Sequence, residues 1–591
     1  MQVSRYKYQF IKRTSLLEKS IFFILIFFIA SCSSKQSVDL ILHNGMIYTV
    51  DSSFSNAECF AVKDGKFVAI GSNEEIFSKY KSDKILDAKG KAVYPGFIDS
   101  HCHFYGYGEG LQTLNLVGTK SFDEVIEKVI EYAKINKSEW IIGRGWDQND
   151  WDIKEYPTRY ELEKLFPNTP VFLERIDGHA AVANGAALKK AKIGLDTKVS
   201  GGIIEIDLIT KDEGEKYDWL KFENGGEKKP IHYPLSITSG ILVDNAVDLV
   251  KKEIPKPSKE SIKNALLAAQ KNCFAVGLTT VDDAGLEKKI IDNIDELQKS
   301  GELKMRIYAM LTDNKENADF YLKTGPYKTD KLNVRSFKFY ADGALGSRGA
   351  CLLHPYSDKP EQQGFLLSKA EHYDSAAAMI YGKGFQMNTH CIGDSASRLI
   401  SKIYLKNLVS KSTVSPAPIL SRWRIEHAQV INKDDLSFYS AIIPSVQPTH
   451  ATSDMYWAKD RLGDDRVKEA YAYNELLKAA GMIALGTDFP VENINPMYTF
   501  YAAVARKDLK GFPQNGFQME NALSRENTLR GMTIWGAFAN FEEKEKGSIE
   551  IGKFADFVIL ENDIMKCEID KTPETKVLFT FLNGEQVYEK K

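Results

Sequence analysis

No run of twenty apolar residues, the length a helix needs to cross a bilayer, occurs in the 591-residue chain, which argues against a multi-span membrane protein. Nor is positive charge in excess. Lys and Arg number 77 against 80 Asp and Glu, a formal charge of -3, so nothing favours a nucleic-acid partner. No internal repeat of solenoid period and no low-complexity tract is present, and 43% hydrophobic with 27% charged residues is the composition of a globular chain. Cysteines are few. With Cys32 set aside, Cys59, Cys102, Cys273, Cys351, Cys391 and Cys567 form no C-x-x-C pair. A chain this long has little need of disulfides, so buried free thiols are expected.

The chain opens with Arg5, Lys7, Lys12, Arg13 and Lys19, followed by the apolar run Ile21 to Ile29, which has the length of a signal-peptide core. The run ends Ile29-Ala30-Ser31-Cys32, which resembles a bacterial lipobox, where the cysteine becomes the lipidated first residue. That resemblance implies a signal peptide over residues 1–31, a membrane contact through a lipid on Cys32, and a cell-envelope location. Ser33 favours outer-membrane sorting where the cell has two membranes, and the expected placement is the outer membrane, facing the periplasm, over the inner membrane. A buried N-terminal helix is the alternative, and neither a partner helix nor amphipathic spacing supports it. The leader's five cations outweigh Glu18 by four, so the processed chain carries -7.

After a linker at 32–37, the end segments 38–92 and 545–591 share a style of short alternating strands with turns at Asn44-Gly45, Asp64-Gly65 and Asn583-Gly584. They are read as one small composite β-sandwich built from both chain ends. Between them, residues 93–544 alternate helical patterns with short apolar strands, the pattern of an α/β (β/α)8 TIM-like barrel. Candidate strands are Val93 to Ile98, Gly277 to Asp282, Met305 to Met310, Phe337 to Ala341, Phe385 to Thr389, Trp423 to Glu426, Ile442 to Gln447 and Met482 to Gly486. The long gap between the first two predicts an insertion over about 104–250, on the barrel face whose loops shape substrate pockets.

His101-Cys102-His103 closes the first candidate strand, where a period of two points both imidazoles to one side. Alone this is a weak signal. Lys338 lies in the fourth strand, His390 ends the fifth, His427 ends the sixth and Asp488 follows the eighth, so all converge on the carboxyl ends where barrel enzymes carry their sites. Imidazole with carboxylate suits zinc and neighbouring divalent metals.

From about Val38 to Tyr588 the chain resembles the amidohydrolase superfamily, in the amidohydrolase 3 branch that holds the YtcJ-like proteins and the N-substituted formamide deformylases. The matching segments are Gly96-Phe97-Ile98-Asp99-Ser100-His101-Cys102-His103, Lys338 to Arg348, Asn388 to Asp394, Arg424-Ile425-Glu426-His427-Ala428 and Gly486-Thr487-Asp488. The resemblance implies one or two divalent ions, zinc first among them. His101 and His103 would hold one, touched also by Asp488; His390 and His427 would hold a second, and Lys338, N6-carboxylated, would bridge both. Carboxylation is needed because an ammonium cannot ligate. An ordinary ion pair of Lys338, for instance with Asp342, is the alternative.

Softer candidates for substrate contact are His179 and Trp146 in the insertion, Arg348, whose fork suits a carboxylate or phosphate, and His450 past the seventh strand. Packing or ion pairing is the competing reading for each. The expected activity is hydrolysis of a carbon-nitrogen bond other than a peptide bond in a small molecule, with Asp488 as general base and then acid. A deaminase or an ester or lactone hydrolase on the same barrel, and a non-catalytic ligand-binding lipoprotein, are the alternatives. A homo-oligomer stays open.

Overall fold

A computed structural model describes residues 35–136, 138–214, 234–410 and 421–591; Cys32 and the leader lie outside these, so the lipobox reading falls on residues not described. Eight parallel strands form the central barrel: β1 (Phe97–Cys102), β2 (Leu278–Leu286), β3 (Arg306–Thr312), β4 (Leu332–Tyr340), β5 (Gln386–Cys391), β6 (Arg424–His427), β7 (Ile443–Val446) and β8 (Ala484–Leu485). Alternation along each strand separates two environments. On β3, Ile307, Ala309 and Leu311 face the helical layer and join its apolar core, whereas Tyr308 and Met310 point inward. The inside is largely polar: buried Arg424 donates to Asp282 at 2.8 Å, and Asn540 donates to the other Asp282 oxygen at 2.6 Å. The Arg424 and Asp282 charges persist this deep because each pairs with the other.

No strand ladder joins β8 to β1 among the described residues, which leaves the barrel nearly closed. Asp99 accepts hydrogen bonds from the Thr487 amide (3.0 Å) and hydroxyl (2.7 Å) and from the His101 amide (3.2 Å). The Asp488 amide donates to the His101 carbonyl at 2.8 Å. Gly486 lies against that seam, where a Cβ would come within 2.6 Å of the His101 nitrogen.

The expected first strand, Val93 to Ile98, is two strands. Ala92–Pro95 belongs to a six-stranded sheet, and β1 begins at Phe97. The switch falls at Gly96, whose amide donates to the Asp556 carbonyl while the next amide, Phe97, donates to the Gly277 carbonyl at the start of the neighbouring strand β2. Thr279 crowds the site so closely that a Cβ would stand 2.3 Å from its hydroxyl.

In that six-stranded sheet Ala92–Pro95 is held between Phe557–Leu560 and Met46–Tyr48, so residues from both ends of the sequence share one sheet. A second, four-stranded sheet packs on it through Leu42, Phe60, Val62, Phe557 and Phe581. Arg306, 1% exposed, ties this unit to the barrel floor, donating to Asp556 at 2.6 and 3.1 Å and to the Asp330 carbonyl at 2.6 Å. Between β1 and β2 a third sheet runs from Leu114–Asn115 to Leu235–Asp244 and carries its own apolar cores. All six described cysteines are unpaired; four are buried and Cys351 and Cys567 are partly exposed.

Candidate metal centre

The carboxyl ends of the strands gather His101, His103, Lys338, His390, His427, His450 and Asp488 around one space. His101 lies within β1, but His103 is past its end, at the start of the helix Phe104–Gly110. The two rings nevertheless converge at 5.8 Å between centroids, and Cys102 points away, its thiol toward the Asp282 carbonyl. Asp488 turns into the site with φ of +63°. One of its oxygens, Oδ1, lies 3.3 Å from His103 Nε2 and 3.6 Å from His101 Nε2. The other, Oδ2, lies 3.4 Å from His450 Nε2. Lys338 Nζ is 3.0 Å from His101 Nε2. The His390 ring stands 4.5 Å from that of His427 and 5.0 Å from that of His179.

Each of four histidines has its Nδ1 against an acceptor, which fixes the tautomer and aims Nε2 inward. His101 donates to Glu426 at 2.5 Å, His427 to Gln447 at 2.8 Å, His450 to Glu492 at 3.1 Å and His179 to Asp244 at 2.7 Å. The sequence reading missed Glu426, Gln447, Glu492 and Asp244. Glu426 stood within a quoted segment beside His427, and Gln447 closed the seventh candidate strand; nothing marked Glu492 or Asp244.

Burial sets the charge of the centre. It pushes His103 down to about 4 and holds His390 and His427 well below the usual imidazole range, so these rings are neutral. Lys338 is pulled down to about 8 by burial, which Glu426 and Asp488 only partly oppose. Burial also opposes the charge on Asp488, yet the imidazoles of His103 and His450 more than offset it and keep the carboxylate well below its ordinary range. For His450, burial is outweighed by Asp488 and Glu492, which raise it to about 10.

Several expectations change. Trp146 is fully buried, donates from its indole nitrogen to the Leu173 carbonyl and packs in the insertion's own core, so it anchors the insertion and does not line the site. Arg348 is paired with Asp358 (2.8 Å) beside a cleft of about 460 Å³ between the insertion and the barrel. The Lys338–Asp342 pair is not formed: Asp342 accepts the amides of Ile392, Gly393 and Cys351 instead. His179 reaches the mouth from a turn at Asp177-Gly178, where Gly178 has φ of +74°.

The donor set fits divalent cations. His101, His103 and Asp488 form one group with ligand atoms within 4.8 Å of one another, and His427, His450 and Asp488 form another. His390 belongs to neither group, although its buried Nε2 and Asp488 Oδ1 both stand without a hydrogen-bond partner. Buried polar atoms left bare in the middle of neutral imidazoles are what an ion's shell requires.

A family model described as the amidohydrolase family matches residues 84–211 and 236–588. Among curated proteins, the putative amidohydrolase YtcJ of Bacillus subtilis is 31% identical, with 93% of this chain and 99% of that protein aligned. The N-substituted formamide deformylase of Arthrobacter pascens is 25% identical over 94% of this chain and 99% of its own length. Among solved structures, an uncharacterised metal-dependent hydrolase of Pyrococcus horikoshii is 26% identical and superposes with a TM-score of 0.69, covering 90% of this chain and 99% of that one.

Proposed function

The chain belongs to the amidohydrolase family, and on that premise we propose that it hydrolyses a non-peptide carbon-nitrogen bond in a small molecule. It does so with one or two divalent cations, zinc first among them. His101, His103 and Asp488 would hold one ion, His390 and His427 would serve a second, and Lys338, once carboxylated, would supply an oxygen ligand to them. The observation that carries the metal-dependent reading is the group His101, His103 and Asp488 at the strand ends, with His427 in a second group that shares Asp488; the roles of His390 and Lys338 come from the family resemblance. A bound divalent cation supplies Lewis acidity there, bringing the pKa of water toward about 7 and polarising a carbonyl.

The chain's own groups supply the rest. Asp488, held ionised, takes a proton from the attacking water and returns it to the leaving nitrogen. Burial keeps part of Lys338 as the free amine that carbon dioxide addition requires. His179, fixed by Asp244, faces the space from the insertion, with the Tyr340 ring 5.5 Å from that of His390. Both contact the substrate in this reading. The relative from Arthrobacter pascens, an N-substituted formamide deformylase, makes N-formyl amines the first compounds to try.

The test is metal analysis of the purified protein with a hydrolysis screen over N-formyl amines, N-acyl amino acids, cyclic amides and simple esters. Release of an amine with a carboxylic acid supports the proposal. Turnover of esters or lactones alone, or release of ammonia from an amino-substituted ring, replaces it with the sister reactions; binding without turnover in metal-loaded protein replaces it with a ligand-binding role. The lipid anchor on Cys32 is proposed alongside, and Cys32→Ser releasing the protein from the membrane fraction is its check.

A further inference from the structure

We propose that His450 is a metal ligand, and that Asp488 spans two cation positions with one carboxylate oxygen turned to each. The inference rests on the metal-dependent reading above and adds a ligand to it, from the helix Pro448–Asp454 that follows β7.

Three observations converge. First, the two oxygens of Asp488 face different imidazoles: Oδ1 is 3.3 and 3.6 Å from His103 and His101, and Oδ2 is 3.4 Å from His450. Ligand atoms sharing one tetrahedral ion at 2.0–2.2 Å stand about 3.3–3.6 Å apart. Direct pairing alone would favour a shorter hydrogen bond, near 2.8 Å, between a charged imidazole and a carboxylate. Second, His450 is prepared as His101 is. A carboxylate takes its Nδ1 proton, Glu426 for His101 and Glu492 for His450, and Glu492 is itself held by the Ser453 hydroxyl at 2.6 Å. An orienting carboxylate behind an imidazole is the usual outer support of a metal-bound histidine. Third, His427, whose Nδ1 is tied to Gln447, completes a set with His450 and Asp488 inside 4.8 Å.

The rival role is an imidazolium locked between Asp488 and Glu492. Two carboxylates that favour a proton on His450 also favour a dication in the same place, and binding the ion displaces that proton. The reading requires nothing of Lys338.

Ion content and coordination decide the matter without reference to turnover. Full-length protein is loaded with zinc, or with cobalt(II) for absorption spectra, and freed of loosely held metal. Wild type is expected to retain two ions per chain and His450→Ala about one, with a changed cobalt spectrum. His103→Ala, which weakens the other position, should keep the ion that His450 serves, and the double variant should lose it. Two ions and an unaltered cobalt spectrum in folded His450→Ala overturn the assignment. Should that variant fail to fold, Glu492→Gln answers instead: a 10- to 100-fold weaker second ion supports the ligand, and unchanged affinity refutes it. Protein that binds two ions through His450 yet hydrolyses nothing keeps the ligand and rejects only the proposed function.

Discussion

Asp488 holds a left-handed backbone, φ +63°, which aspartate and asparagine tolerate better than other non-glycine residues. Asp488→Asn therefore keeps the fold of the turn while removing basicity. Turnover should fall by roughly a hundred- to ten-thousand-fold at matched metal occupancy; a loss within tenfold, measured by steady-state kinetics alongside metal analysis, would reject the acid-base role. Asp283 is a contrasting carboxyl, pushed up to about 7 by burial while it accepts the Tyr105 amide at 3.0 Å. Its folded pKa lies above the unfolded value, so the native state binds the extra proton and loses stability as pH rises from about 4 to 7. Asp283→Asn keeps the acceptor and drops that slope. The variant should gain stability over wild type, more at pH 8 than at pH 5, up to about 4 kcal/mol, by denaturant titration at both pH values. The histidines that meet here were legible because strand ends place them. Glu426, Gln447 and Glu492 were not, since which acceptor meets an Nδ1 depends on neighbouring strands and loops, and no spacing within one segment encodes it.

The closing of β8 on β1 depends on a residue with no side chain. Gly486→Ala would drive a Cβ to 2.6 Å from the His101 nitrogen and 2.8 Å from its carbonyl oxygen, where neither backbone can yield without moving His101. A cost of about 1–3 kcal/mol is expected, with loss of bound metal beyond the loss of stability; thermal melts and metal content of the same sample check both. Eight strands could be found in the sequence because their apolar runs recur between helical patterns. The split at Gly96 was signalled too, by the Pro95-Gly96 dipeptide that breaks the run from Val93 to Ile98, but a continuous strand reading passed over it. Trp146 illustrates a limit: an aromatic loop beside a predicted pocket looks the same in sequence whether its indole faces substrate or, as here, the insertion's core.

The carboxyl-terminal part of the composite sheet is bound to the barrel floor by one buried cation, Arg306. Removing its partner with Asp556→Ala leaves the buried Arg306 charge with neutral acceptors only, the Asp330 carbonyl and the Asn583 amide oxygen, a loss of about 3–5 kcal/mol, and should destabilise barrel and terminal sheets together in a single unfolding transition. Two separated transitions in calorimetry would show that the units fold independently. The composite sheet also bears on how the protein is made. Strand Ala92–Pro95 waits for Phe557–Leu560, its neighbour on one side, which a ribosome delivers only after the whole barrel has emerged. Throughout synthesis the nascent chain thus displays an unsatisfied strand edge, a place for holdase chaperones to bind and for two incomplete copies to pair wrongly. Overexpression and slow elongation near the 3′ end of the message should accordingly favour aggregation.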